Sequence, residues 1–207
     1  MFAGKSVFEI ILMGGWPFWI LMIASVLSVA VIIAKLVEFN RKSKITRKYF
    51  VGQIMEKLRK KNVESAIDLC ETTDSPMAPV IQSGLEAYVD KEGTPGEAMA
   101  REMKIQTVIL ERYLIILGTI GSIAVYIGLL GTVIGIIRSF KDIAQVGSGG
   151  ISVVIGGVSE SLIATAAGLS VAIPAVIFYN FLTKIVDKFV VDMEYGASAV
   201  EDFLSRK

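Results

Sequence analysis

The sequence predicts an all-α integral membrane protein with three transmembrane helices, the second and third extended into a cytoplasmic helical region. Three observations carry that class. Apolar residues make up 53% of the 207-residue chain, and the mean hydropathy of +0.62 lies above that of an ordinary soluble domain. They gather into three stretches, each at least the ~20 residues that a helix needs to cross a bilayer. Two of those stretches set threonine among glycine and alanine, and small residues let helix backbones come close in lipid.

Residues 1–15 are read as an outer segment. The first span covers residues 16–37, with Trp16 and Trp19 at its start as interfacial anchors and Lys35 near its other end, where it can snorkel. A cleaved signal peptide fits poorly, because the run exceeds an ordinary signal core and Lys5 is balanced by Glu9. Arg41, Lys42, Lys44, Arg47 and Lys48 follow with no acid among residues 41–48. Such a cluster marks the cytoplasmic side, so the amino terminus is expected outside. The same cluster suits lipid headgroups.

Residues 38–112 read as a cytoplasmic helical region. Ile54 and Leu58, then Ala66, Ile67 and Leu69, carry helical spacing up to a break at Ser75-Pro76 and Pro79. A helix is expected from Val80 to Val89, then a turn at Gly93-Thr94-Pro95-Gly96. Thr94, Pro95 and Glu97 form a helix start: cap, first-turn proline, then an acid. From Met99 through Met103, Val108 and Leu110 no breaker intervenes, so one long helix is expected from 95 to 140.

The second span is placed at 113–140 and an outer loop at 141–150, where Arg138 and Lys141 are the nearby basic residues. The third span, 151–182, exceeds one bilayer thickness, so tilt or extension is expected. Pro174 inside it is tolerable in a membrane helix. Residues 183–207 continue as a cytoplasmic helix through Ile185, Phe189 and Met193.

Two small-residue faces stand out. On span two, Gly121, Ala124, Gly128, Thr132 and Gly135 share a face, and Gly131 with Gly135 forms a GxxxG pair. On span three, Ser161, Thr165, Gly168, Ala172 and Ala175 repeat in four-three-four-three steps, with Pro174, directly before Ala175, as a further packing position. Thr132 and Thr165 have two readings: each bonds back to its own helix, or each lines a polar path. Periodicity favours the first. Glu160, at or just inside the outer end of span three, is either part of an ion path or an interfacial carboxylate near Arg138. Tyr179 and Asn180 read as interface residues.

Composition removes several function classes. The chain has no histidine, and Cys70 is its one cysteine. That leaves no internal disulfide, no Cys/His metal site and no histidine base. No cofactor is expected. A net charge of +1 gives no field for nucleic acid.

Gly128-Leu-Leu-Gly-Thr132-Val-Ile-Gly135 resembles the second-span motif of the ExbB/TolQ family, relatives of the flagellar stator subunit MotA. Ser159-Glu160-Ser161-Leu-Ile-Ala-Thr165-Ala166, then Gly168, Ala172-Ile-Pro174-Ala175 and Tyr179-Asn180, resembles the third-span motif. The order of spans fits as well, so the resemblance covers nearly the whole chain. Val125 departs from it, because many members carry proline there. An argument from a proline kink therefore does not transfer.

The resemblance implies a homopentamer in the bacterial inner membrane, encircling the single-span helices of an ExbD/TolR-type partner that brings the titrating aspartate. It implies that Thr132 and Thr165 face the pore and that Glu160 is the pore glutamate. Proton-motive force would become mechanical work passed to a TonB/TolA-type protein. Ala166 beside Thr165 leaves few oxygens for sodium, which favours protons. The alternatives are a stand-alone channel or transporter, which should hold its own charged midplane site, and a scaffold without ion flow. No arrangement of residues points to an enzyme.

Overall fold

The computed structural model describes residues 15–43, 47–91, 93–146 and 150–205; the side chains of residues 145–146, 150–154 and 160 lie outside that description. Seven helices stand among the described residues: α1 (Gly15–Lys42), α2 (Arg47–Arg59), α3 (Val63–Glu71), α4 (Met77–Asp90), α5 (Pro95–Glu111), α6 (Leu114–Val146) and α7 (Gly150–Ser205). Three of them contain stretches long and apolar enough to cross a membrane: Trp16–Lys42, Leu114–Ala144 and Ile155–Ser205.

The chain divides into two compact units. One holds the residues up to Ile33 and Tyr113–Asn180; the other holds Ala34–Arg112 and Phe181–Lys207. In the second unit, α4 packs against α3 and α5. Its buried side chains include Phe50, Ile54 and Leu58 of α2, Ile81 and Leu85 of α4, Met99 of α5 and Met193 of α7. Local chemistry sets the helix ends. The Asn62 side chain accepts the Ser65 N–H at 3.0 Å and starts α3. Thr94 accepts the Glu97 N–H at 3.3 Å with Pro95 in the first turn of α5. Lys91 and Gly93, both at positive φ, end α4. Cys70 is buried, and burial pushes its thiol up to about 12, with Glu86 and Glu71 adding to the shift. It is therefore protonated and inert at neutral pH.

Three local expectations need correction. The helix expected from 95 to 140 is broken: α5 stops at Glu111, Tyr113 takes φ 72, and α6 starts at Leu114. Neither glycine nor proline marks the place. In an unbroken helix the Leu110 carbonyl would accept the Leu114 N–H. Here the Lys35 ammonium donates to that carbonyl at 3.0 Å, and the Arg112 N–H turns back to Val108 and Ile109. Lys35 thus does not snorkel. It is 3% exposed, paired with Glu38 at 3.0 Å and placed over the Phe39 ring. Finally, the expected loop at 141–150 is largely helix, since α6 runs to Val146 and α7 begins at Gly150.

Lys35→Met keeps the length and apolar stem but leaves the Leu110 carbonyl without that donor. A loss of about 1–3 kcal/mol is expected, read as a lower thermal midpoint of the purified protein in detergent. An unchanged midpoint would mean that this bond does not hold the break.

Candidate functional site: the α6–α7 seam

The first unit is built on close helix approach. Leu21 of α1, Ala124 of α6 and Ala172 of α7 form a buried cluster, with Val125, Ile127, Ala167 and Val171 against it. Val125, the departure from the family motif, is thus a packing residue. A Cβ added to Gly168 would lie 2.6 Å from the Ala124 carbonyl oxygen and 3.0 Å from the Gly128 Cα. One added to Gly128 would lie 2.8 Å from the Ala164 carbonyl oxygen. Both helices need glycine at this crossing because backbone faces backbone, and backbone cannot give way as a side chain can.

That closeness brings hydroxyls from two helices together. The Thr132 and Thr165 hydroxyls are hydrogen-bonded to one another across the seam. Thr132 Oγ1 also lies 3.2 Å from the Gly128 carbonyl oxygen on its own helix and 3.3 Å from that of Ser161 on α7. Thr165 Oγ1 reaches the same Gly128 oxygen at 3.3 Å. A hydroxyl has one proton and two lone pairs, so these contacts are alternatives among which the protons can rearrange. Self-bonding and cross-helix bonding therefore coexist at Thr132.

The other sequence-singled residues fall in distinct places. Gly131 faces Ala164, Gly135 faces Ser161, and Ala172 and Ala175 are buried while Pro174 is exposed on an uninterrupted α7. Pro174 stands outside the α6–α7 seam. Glu160 is in α7, directly before Ser161, and its side chain is among those outside the described residues. Tyr179 and Asn180 line a groove of about 570 Å³ with Thr119 and Ser122.

Two seam residues escaped the sequence reading. Ser139 is buried, and its hydroxyl donates to the Gly135 carbonyl at 2.9 Å. Gly157 lies against it on α7. Both were legible: Ser139 is one more step of four beyond Gly135, and Gly157 is one step of four before Ser161.

The seam is polar but uncharged. Residues 114–137 and 161–183 contain no Asp, Glu, Lys, Arg or His. Hydroxyls and glycine carbonyls there can hold water or bond a carboxyl group, but cannot themselves titrate near neutral pH.

Comparison with known proteins matches residues 72–195 to the MotA/TolQ/ExbB proton channel family. That match starts after the first span, so it is narrower than the near-complete coverage that the motifs implied. The chain is 34% identical to the biopolymer transport protein ExbB of Neisseria gonorrhoeae, over 59% of this chain and 62% of that one. It is 39% identical to the Tol-Pal system protein TolQ of Pseudomonas aeruginosa, over 52% and 51%. Against ExbB of Salmonella typhimurium the identity is 32%, over 79% and 70%. The chain thus spans about three fifths of the Neisseria relative and half of the Pseudomonas one. With the family match covering more than half of this chain, Thr132 and Thr165 included, the chain belongs to the MotA/TolQ/ExbB proton channel family.

Proposed function

We propose that this chain is the ring-forming subunit of a proton-driven motor in a bacterial inner membrane. It has no enzymatic role. The observation that carries the reading is the Thr132–Thr165 hydroxyl pair, held between two membrane-length helices with no titratable neighbour among the described side chains. Such a pair can solvate and position a carboxyl group but needs one from another chain. An ExbD/TolR-type single-span helix carrying an aspartate would bring it. Five copies would enclose the partner helices, and proton passage would turn them and pass work to a TonB/TolA-type protein. Glu160 is the natural entrance residue, one turn or so outward of the threonines. Ring formation has a surface to use, since Ile115, Tyr126 and Ile137 on α6 and Ile173 and Ile177 on α7 are exposed in the single chain. Apolar side chains in such positions face lipid or another copy.

Proteoliposomes holding the chain alone should not conduct protons, whereas co-reconstitution with the partner should give flux that a partner Asp→Asn change removes. Conduction by the chain alone would support a stand-alone channel instead.

Orientation follows from the basic residues after α1. With the amino terminus outside, Lys141→Cys should react with an impermeant thiol reagent on intact spheroplasts, and Lys60→Cys should not. Both reporters are placed in a Cys70→Ser background, so that the introduced cysteine is the one thiol. The reverse pattern would overturn the orientation, and with it the motor reading.

A further inference from the structure

The second unit contains a basic cavity that the proton path does not use. Its volume is about 550 Å³, within the range of small-ligand sites. Among the described residues, four cations line it: Lys42 at the end of α1, Arg47 and Lys48 at the start of α2, and Lys188 on α7. Two carboxylates, Asp187 and Asp192, oppose them, so the lining is net positive.

The pairing within it is unequal. Lys42 is held by Glu38 at 3.0 Å. Arg47 is held by Asp192 at 3.1 Å and stacks over the Tyr195 ring. Asp187 is taken by Lys184 at 2.9 Å. Lys48 and Lys188 are exposed and have no side-chain partner among the described residues. The cavity therefore holds two fixed cations and two ammonium groups that are available.

The wall between them adds to the same field. Ser75, Pro76 and Met77 line the cavity where α4 begins. That 14-residue helix has no side-chain cap and no acid in its first turn. Within its first turn, then, no carboxylate offsets the positive end of its dipole. Phe189 and Val191 supply an apolar flank.

Location selects among anions. At 1.5 Å per residue, the 28 residues of α1 span about 42 Å, the thickness of a bilayer including its headgroup layers. Lys42 therefore lies at headgroup level when α1 crosses the membrane. The geometry points to a site for an anionic phosphate group, with the exposed Lys48 and Lys188 as its clamps, and the headgroup of an acidic phospholipid as the ligand at hand. This rests on α1 being a membrane span and not on the proton path.

The test is native mass spectrometry of the full chain in detergent, titrated with phosphatidylglycerol or phosphatidylcholine. Both lipids carry a phosphodiester, but in phosphatidylcholine the charge is cancelled by its own cation. Wild type should retain phosphatidylglycerol in preference. K48Q/K188Q should lower that retention roughly tenfold, on the scale of basic side chains at an anionic surface. K60Q/K104Q, with the same charge change outside the cavity, should leave it in place. Excess inorganic phosphate separates the sources: phosphatidylglycerol that stays bound identifies the lipid, and displacement identifies a soluble phosphate at the same clamps. Equal retention of the two lipids by wild type, or an undiminished preference in K48Q/K188Q, would overturn the site.

Discussion

Thr165→Val is expected to lower the proton-coupled work of the proposed motor about 10- to 100-fold while leaving the proposed ring and its partner binding intact. Valine matches the shape of threonine but neither donates nor accepts. The fold should tolerate this, because Thr132 keeps the Gly128 and Ser161 carbonyls within 3.3 Å. What is lost is a hydroxyl able to solvate a partner carboxylate, and a hydrogen bond to a charged group contributes about 1.5–3 kcal/mol. Thr165→Ser keeps the hydroxyl and should retain part of the activity. A growth assay dependent on the motor, read beside the oligomeric state, distinguishes the possibilities. If Thr165→Val assembles and supports growth like wild type, the Thr165 hydroxyl is a packing contact of the α6–α7 seam and takes no part in the proton path.

Gly168→Leu should separate α6 from α7 and dissociate the proposed ring in mild detergent. The atoms that an added Cβ would meet are the Ala124 carbonyl oxygen and the Gly128 Cα, so relief requires moving a helix. Overpacking of a close contact costs typically 1–3 kcal/mol, and leucine adds three further carbons beyond the first clash. Gly168→Ala should show the same defect in weaker form. Native mass spectrometry of Gly168→Leu that shows an assembly of wild-type size would remove the seam from the account of assembly.

The two predictions draw on different kinds of information. The seam was legible because membrane helices meet through small residues at fixed steps, and Gly128, Thr132, Gly168 and Ala172 can be read along one dimension. The pairing of the threonines was not legible. Which hydroxyl meets which carbonyl depends on the register of α7 against α6, and spacing within each helix says nothing about register between them. The structure brings Thr165 to the Gly128 carbonyl, 37 positions away.

The same division holds in the second unit. Thr94, Pro95 and Glu97 announce the start of α5 because capping is local chemistry. The end of α5 was invisible, because the group that takes the Leu110 carbonyl is Lys35, 75 positions earlier. Lys35 itself was misread for the same reason: a lysine near a span end snorkels by default, unless a distant carbonyl and a neighbouring carboxylate satisfy it in place. The basic cavity was half visible as the run 41–48. Its other wall, from Lys188 and the uncapped start of α4, comes from distant stretches of chain. The sequence by itself determined the apolar spans, the small-residue faces, the local caps and the family, all set by composition and short-range spacing. Only the tertiary structure decided the helix break, the threonine pairing and the basic cavity, since each depends on a polar group finding its partner across the fold.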